Sequence, residues 1–191
     1  MKLRTFDTQS GTVAAALSLD AIDVRNAKGY EIYVDTTVTT ASAATFTAAI
    51  TDICTIAAHG YHTGLKVAAT TTDTLPAGLS ATNYYVIRID ANTFYLATSA
   101  ANAIAGTRVD ITDTGTGTHT LTPAALSGAS YKVQISPDGT NWFDQSVTNN
   151  VTATSQFIHE KIDPMFCYFK IVWALTAGQI AYNVYTTVKE D

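Results

Sequence analysis

The sequence predicts an all-β protein: one β-sandwich interrupted by an inserted small β-domain. Three observations predict it. Val133 and Ile135 alternate with Lys132, Gln134 and Ser136, the period of a strand with one buried face, and the same period recurs along the chain. The 191 residues include 33 Thr and many Val, Ile and Tyr, residue types that favour strands. Only residues 99–105, rich in Ala, read as a short helix.

Composition bounds the class of function. The chain is 47% hydrophobic, enough to fill a core, but only 14% charged against a usual value of about 25%. Low charge points to a surface that faces other protein. The net charge of −5 argues against a nucleic-acid partner, which calls for a basic patch. Apolar runs are too short to span a membrane. Met1-Lys2-Leu3-Arg4 leads into Thr, Asp and Gln rather than an apolar stretch, which predicts no secretory signal and synthesis in a cytosol. Cys54 and Cys167 each sit in a strand-like apolar context and read as reduced core residues.

Taken in order, residues 1–40 hold two or three strands. Residues 12–19 are apolar and small, 21–24 alternate, and 26–29 form a turn. Residues 30–38 place Ile32 and Val34 on one face and Glu31, Tyr33 and Asp35 on the other. Residues 41–44 are a small-residue linker. Residues 46–58 form a strand pair or one long strand, and 59–64 (His-Gly-Tyr-His-Thr-Gly) a turn. A strand over 65–72 and a turn at 75–79 follow. Residues 83–99 form a hairpin, with Tyr85, Ile87 and Ile89 alternating with Val86 and Arg88 and Asp90-Ala91-Asn92 turning the chain. Residues 106–111 read as a further strand, and 119–121 as the strand that closes the segment.

After a second linker at 123–128, residues 131–147 form a hairpin. Pro137-Asp138-Gly139-Thr140-Asn141 supplies its turn chemistry, and Trp142 starts the return strand. Residues 147–155 are a polar loop, 156–161 a strand, and Asp163-Pro164 a break. Residues 167–173 form the most hydrophobic strand, expected at a sheet centre. Residues 179–188 are the last strand, and 189–191 a charged tail. Residues 1–44 have too few strands to bury a face alone, and 125–191 continue their pattern. The sandwich is therefore assigned to 1–44 and 125–191, with 45–124 as the inserted domain. Small-residue linkers suit an insertion at a loop tip.

Two stretches carry family resemblances. Gly29-Tyr30-Glu31-Ile32-Tyr33-Val34-Asp35, the hairpin with Ser136-Pro137-Asp138-Gly139-Thr140-Asn141-Trp142, and the aromatic strand before Thr176-Ala177-Gly178 resemble a β-sandwich recurrent in tailed-phage virion proteins. Related sandwiches occur in carbohydrate-binding modules. Residues 56–121 are similar to a small β-barrel-like module of large phage and bacterial surface proteins. The shared features are His59-Gly60-Tyr61, Leu75-Pro76-Ala77-Gly78-Leu79, Tyr84-Tyr85-Val86-Ile87 and the closing Gly115-Thr116-Gly117-Thr118-His119. Tyr95 and the Ala-rich positions near Val67 depart from that pattern. The resemblances imply a jelly-roll-like sandwich carrying a non-catalytic module.

The residues that bear chemistry read as structural. His59, His62 and Cys54 lack a fourth ligand at a recognisable spacing, so no metal is expected, and His119 is expected to stack near His59. Thr114-Gly115-Thr116-Gly117 is followed by a strand, whereas a phosphate loop opens a helix. No Gly-x-Ser-x-Gly elbow occurs, and no catalytic residue or cofactor is assigned. Trp142 and Trp173 are expected to pack together in the sandwich core, each indole N–H finding a carbonyl. Tyr33, Tyr61, Tyr182 and Tyr185 are the candidate interface or glycan contacts, because Tyr joins an apolar body to a polar tip.

The expected function is that of a non-enzymatic phage virion structural protein, foremost a capsid decoration or cement protein. A tail, neck, baseplate or fibre component and a glycan- or receptor-binding adhesin are the alternatives. The expected partners are the major capsid protein or other virion proteins and further copies of the chain, as a dimer or trimer. A host-surface glycan is the partner in the adhesin reading. The expected location is the virion.

Overall fold

The computed structural model describes residues 2–25, 30–145, 148–151, 155–162 and 167–190, with backbone alone at 2–6, 155–162 and 188–190. The expected turn at 26–29, the break at Asp163-Pro164 and the hairpin end at Ser146 and Val147 lie outside the described residues. Among the described residues the protein is all-β, with strands throughout and one short helix.

The strands follow the alternation of the sequence. First comes β1 (Lys2–Val13), then the short β2 (Leu17–Ser18) and β3 (Ile22–Asp23), then β4 (Tyr30–Val38). The sequence did not single out β1, because Thr, Ser, Gln and Gly give it little apolar contrast. Next are β5 (Ala44–Ala48) and β6 (Cys54–Thr55), a pair rather than one long strand. Asp52 makes the tight turn between them in the left-handed region, at φ 68°. Strand β7 (Lys66–Thr71) precedes the hairpin of β8 (Asn83–Arg88) and β9 (Thr93–Ala97). In that hairpin Asp90 Oδ1 accepts the N–H groups of Asn92 and Thr93, each at 2.7 Å.

Tyr84 and Val86 are the buried residues of β8, not Tyr85 and Ile87. Both alternating sets are apolar, so period alone does not choose the inner face. Helix α1 (Ala100–Ala105) starts at Ser99, whose side chain accepts from the Asn102 N–H, and stops at left-handed Gly106. Residues 106–111 are not a strand. Scattered bonds hold them instead, among them Val109 N–H to Leu96 O at 2.7 Å, Ile111 N–H to Asp52 Oδ1 at 2.8 Å and the Arg108–Asp52 ion pair at 2.7 Å.

The second half holds β10 (His119–Pro123), β11 (Ser130–Ser136), β12 (Phe143–Asp144), β13 (Asn149–Asn150), β14 (Ser155–Ile162), β15 (Tyr168–Ala174) and β16 (Ile180–Glu190). Strand β16 runs on through Lys189 and Glu190, which pair with Leu3 and Lys2, so these two residues are not a free tail.

The chain divides into two compact units. One is Met1–Val38, Gly128–Thr176 and Ile180–Asp191; the other is Thr39–Ser127 with Ala177–Gln179. The boundaries thus fall outside the expected 45 and 124. Ser42 O accepts the Tyr61 hydroxyl at 3.0 Å and Lys66 O accepts the Ala124 N–H at 2.9 Å, which ties both linkers to the inserted unit. Ser127 bridges Ala177, and Gln179 O accepts the Thr39 N–H.

The inserted unit is a closed barrel in the order β10-β5-β6-β9-β8-β7. Strand β10 closes it by pairing with β7 over all five of its residues and with β5 over three. Phe46, Cys54, Val67, Val86, Phe94, Leu96 and Leu121 are buried in this unit. A barrel this narrow is filled by its own side chains.

The other unit holds two sheets. The first, β1-β16-β4-β14, has four antiparallel strands. The second is centred on β11 and β15, as expected for the most apolar strand, with the two-residue strands β12, β13, β2 and β3 along its flanks. Short flanking strands limit the open edge of a sheet. Rings from the two sheets touch: Tyr30 of β4 stacks on Phe169 of β15 at 5.5 Å, and Tyr182 of β16 meets Trp173 of β15 at 5.4 Å.

Trp173 is fully buried between Tyr131 and Tyr182, yet its indole N–H has no hydrogen-bond partner among the described residues. Trp142 is not beside it. Residue 142 precedes β12, is half-buried, and lies 4.2 Å from the Lys170 ammonium, which sits over its ring. The expected Trp142–Trp173 core pair is thus replaced by a surface cation–π contact. Denaturant unfolding should show Trp173→Ala costing about 3–5 kcal/mol and Trp142→Ala at most about 1 kcal/mol. Equal costs would contradict this placement.

Candidate functional site

The four-stranded sheet positions two of the four candidate tyrosines. In β4 the residues Tyr30, Ile32, Val34 and Thr36 are buried, which turns Glu31, Tyr33 and Asp35 outward. In β16 the buried set is Ile180, Tyr182, Val184 and Thr186, which turns Asn183 and Tyr185 outward. The register sets Tyr185 directly opposite Tyr33 and places Thr8 of β1 on the far side of Tyr185. The two tyrosines are therefore cross-strand neighbours on one face, at the spacing where side chains touch. Tyr185 is 38% exposed. Tyr33 donates its hydroxyl to Glu31 Oε2 at 2.8 Å, and that carboxylate holds its pKa above the usual phenol value.

The other two tyrosines are internal. Tyr61 is fully buried in the barrel and donates its hydroxyl to Ser42 O. Tyr182 lies on the inner face of β16, 7% exposed, with its ring beneath Gly11 and against Trp173. Burial removes both from the set of glycan or interface contacts. Strand alternation separates Tyr182 from Tyr185, which are three positions apart and so point to opposite faces.

Among the described residues His59, His62 and His119 have separate structural surroundings. His59 Nδ1 is already taken by the Tyr61 N–H at 2.8 Å. Burial pushes the Cys54 thiol up to about 12, the wrong direction for a thiolate ligand. Among the described residues no group of three or more His, Cys, Asp or Glu side chains converges. His119 does not stack on His59. Its ring neighbour is Phe46 at 5.5 Å, whereas His59 packs on Tyr61 and Phe94, each at 5.1 Å. Thr114 O accepts from His119 Nε2 at 3.1 Å, so Nδ1 is the acceptor for the Thr71 hydroxyl at 2.9 Å.

The barrel has a groove that sequence reasoning missed. Residues 114–118 extend the ladder of β7 rather than that of β5: Thr74 exchanges backbone bonds with Thr116, and Thr72 N–H donates to Thr118 O while its hydroxyl accepts the Thr118 N–H. Strand β5 meets β10 only as far as Phe46. Beyond that point the two part and leave an open groove of about 740 Å³. Thr45, Thr47 and Thr55 line one side and the loop 114–118 the other; no charged side chain lines it. His119 also lines it, with its ring nitrogens engaged by Thr71 and Thr114, so the surface offers chiefly hydroxyl and amide hydrogen bonds. The loop shape demands glycine: at Gly115, φ is 65° and a Cβ would fall 2.5 Å from Thr74 O.

A second cluster surrounds the hairpin turn. Asp138 accepts the N–H groups of Thr140 and Asn141, each at 2.8 Å, and the Asn141 side-chain amide at 2.7 Å. The backbone donors from Asn141 and Thr140 hold its carboxyl far below the usual range. Ser136, expected on the polar face, is buried because its hydroxyl accepts the Gly139 N–H at 2.9 Å. Nearby, Lys132 pairs with Asp144 at 2.7 Å and Arg25 sits over the Tyr168 ring. The exposed aromatic here is Phe143, at 57%. The faces of Trp142 and Tyr168 are each occupied by a cation of the chain itself, which reduces their use as stacking platforms.

No protein-family model and no curated protein sequence matches this chain. The two thiols differ in access: Cys54 is buried and Cys167 half-exposed, and both are free. Iodoacetamide at mildly alkaline pH should therefore alkylate Cys167 alone in the native protein and both residues in guanidinium, as read by mass spectrometry. Equal native labelling would contradict the burial of Cys54.

Proposed function

We propose that the chain is a non-enzymatic structural protein of a tailed-phage virion, acting as a capsid decoration or cement protein. In this reading the two sheets of the first unit form a jelly-roll-like β-sandwich that binds the shell, and the barrel is a displayed surface module. The partners are the major capsid protein or another virion protein, with the chain itself as a dimer or trimer.

The observation that carries the reading is the outward Tyr33–Tyr185 pair, set between the carboxylates Glu31 and Asp35 of the same strand. Paired tyrosines flanked by Thr8 and Asn183 suit a protein contact, since aromatic residues concentrate binding energy at interface centres. The sequence resemblance to virion sandwiches and the uncharged groove of the barrel also support assembly over catalysis. The exposed Tyr185 and Phe143 favour the adhesin as the second reading, because sugars stack on aromatic faces.

Copy number separates the readings. Quantitative gel analysis of purified particles should find hundreds of copies per particle; a few to tens would favour a tail, neck or fibre position. The Tyr33→Ala/Tyr185→Ala double variant should remain folded by circular dichroism, since both side chains face outward. It should lose about tenfold or more in particle binding, as expected for removing a pair of central aromatic side chains. Full particle binding by the variant together with loss of glycan-array binding would overturn the capsid reading in favour of the adhesin.

A further inference from the structure

The barrel loop from Ala58 to His62 is held by side chains rather than by a ladder. Ala58 and Gly60 both lie in the left-handed region, with φ of 49° and 63°. Asn92 Oδ1 accepts the Ala58 N–H at 2.9 Å, and Ala91 O accepts the His59 N–H at 3.1 Å. The His59 ring is 8% exposed and wedged between Tyr61 and Phe94. Its Nδ1 accepts the Tyr61 N–H, so the proton of the neutral ring is on Nε2.

The same loop grips the segment Ala177–Gln179. Gln179, 4% exposed, donates from Nε2 to Gly60 O at 3.1 Å and accepts the His62 N–H on Oε1 at 3.3 Å. Its own carbonyl accepts the Thr39 N–H. This three-residue strap lies in the chain between β15 and β16 yet belongs to the barrel unit. The His59 loop therefore supplies both bonds that hold the Gln179 side chain, while Ser127 and Thr39 bond the backbone of the strap.

We propose that His59 is an acid-released latch: protonation of its ring opens the loop and frees the Gln179 strap from the barrel. An imidazolium carries N–H on both nitrogens. Its Nδ1 then confronts the Tyr61 N–H as donor against donor, 2.8 Å apart, and the new charge is buried away from water. Both effects are relieved when the loop moves out.

The surroundings set the sign. Burial opposes the charge on His59 most strongly, and Arg88 opposes it too. The backbone of Thr93 and Asp90 and the Asp90 carboxylate favour it, and burial outweighs them. His62 is likewise held low, first by burial and then by Arg88 and His59, so protonating either ring makes the other harder to protonate. The folded pKa of His59 thus lies below its unfolded value of about 6.5. The closed loop is fully stable above that pH and loses stability as pH falls below it, down to the folded pKa. Carboxylates titrate nearer pH 4, so between about pH 6.5 and 5 the histidines act alone.

Hydrogen–deuterium exchange of the full chain at pH 7, 6 and 5, normalised to unstructured-chain rates, tests this. Peptides covering 56–66 and 175–181 should lose protection together and reversibly, by about tenfold over the range, while β11 and β15 keep theirs. His59→Asn keeps a short-range acceptor that does not titrate and should abolish the response; His62→Asn should leave it in place. Should His59→Asn fail to fold, the imidazole carbon shifts of the native protein decide: the His59 titration must coincide with the loss of protection. Protection independent of pH, a response retained in His59→Asn, or a loop that opens while 175–181 stays protected would each overturn the latch.

Discussion

The closure of the barrel by β10 is the constraint on which the inserted unit depends. A strand that pairs on both sides leaves no edge in the ring. Its register with β7 fixes where residues 114–118 run, and that path leads away from β5. The groove is a geometric consequence of that parting. So is the run of glycines: Gly115 and Gly117 take positive φ where a Cβ would meet Thr74 O or the Thr72 hydroxyl. A motif resembling a phosphate cradle is thus the price of closing a sheet. His119 stands at the head of β10 and, through Thr71 and Thr114, fastens the loop to the strand.

The two-sheet unit works by a different device. Its central strands β11 and β15 have seven residues each, β11 alternating and β15 mainly apolar, and its flanking strands are only two residues each. Aromatic rings from β4, β15 and β16 meet where the two sheets approach. Outward on the described part of the four-stranded sheet are Tyr33 and Tyr185 with Thr8 and Asn183, beside the carboxylates Glu31 and Asp35. The proposed assembly role rests on the tyrosine pair, since Tyr joins an apolar body to a polar tip.

Much of this was legible in the sequence, and the failures have physical causes. The hairpins around Asp90 and Asp138 were readable because turn chemistry and alternation agree there. The centrality of β15 followed from its apolar run. Strand β1 was not readable, because a Thr- and Ser-rich strand has no apolar period. Trp142 was misplaced because the turn held by Asp138 lasts one residue longer than its Pro-Asp-Gly core shows, leaving Trp142 outside the strand and over Lys170. Alternation separated the two sides of β8 and β16 but did not say which side faces inward. Tyr61 was assigned outward from a turn that tertiary contacts bury. The Ala177–Gln179 strap reads locally only as part of a turn, since the residues that hold it, Thr39, Gly60, His62 and Ser127, lie far away in the chain.

Closure through β10 can be tested on its two neighbours at once. Leu121 is fully buried in β10 and pairs with Ala44 of β5 and Ala69 of β7. Native-state hydrogen exchange of Leu121→Ala should show the amides of β5 and β7 losing protection by the same factor, because both depend on one strand. If β7 loosens while β5 keeps its protection, the ring is not closed through β10 and this account of the barrel, its groove and its glycine loop is contradicted.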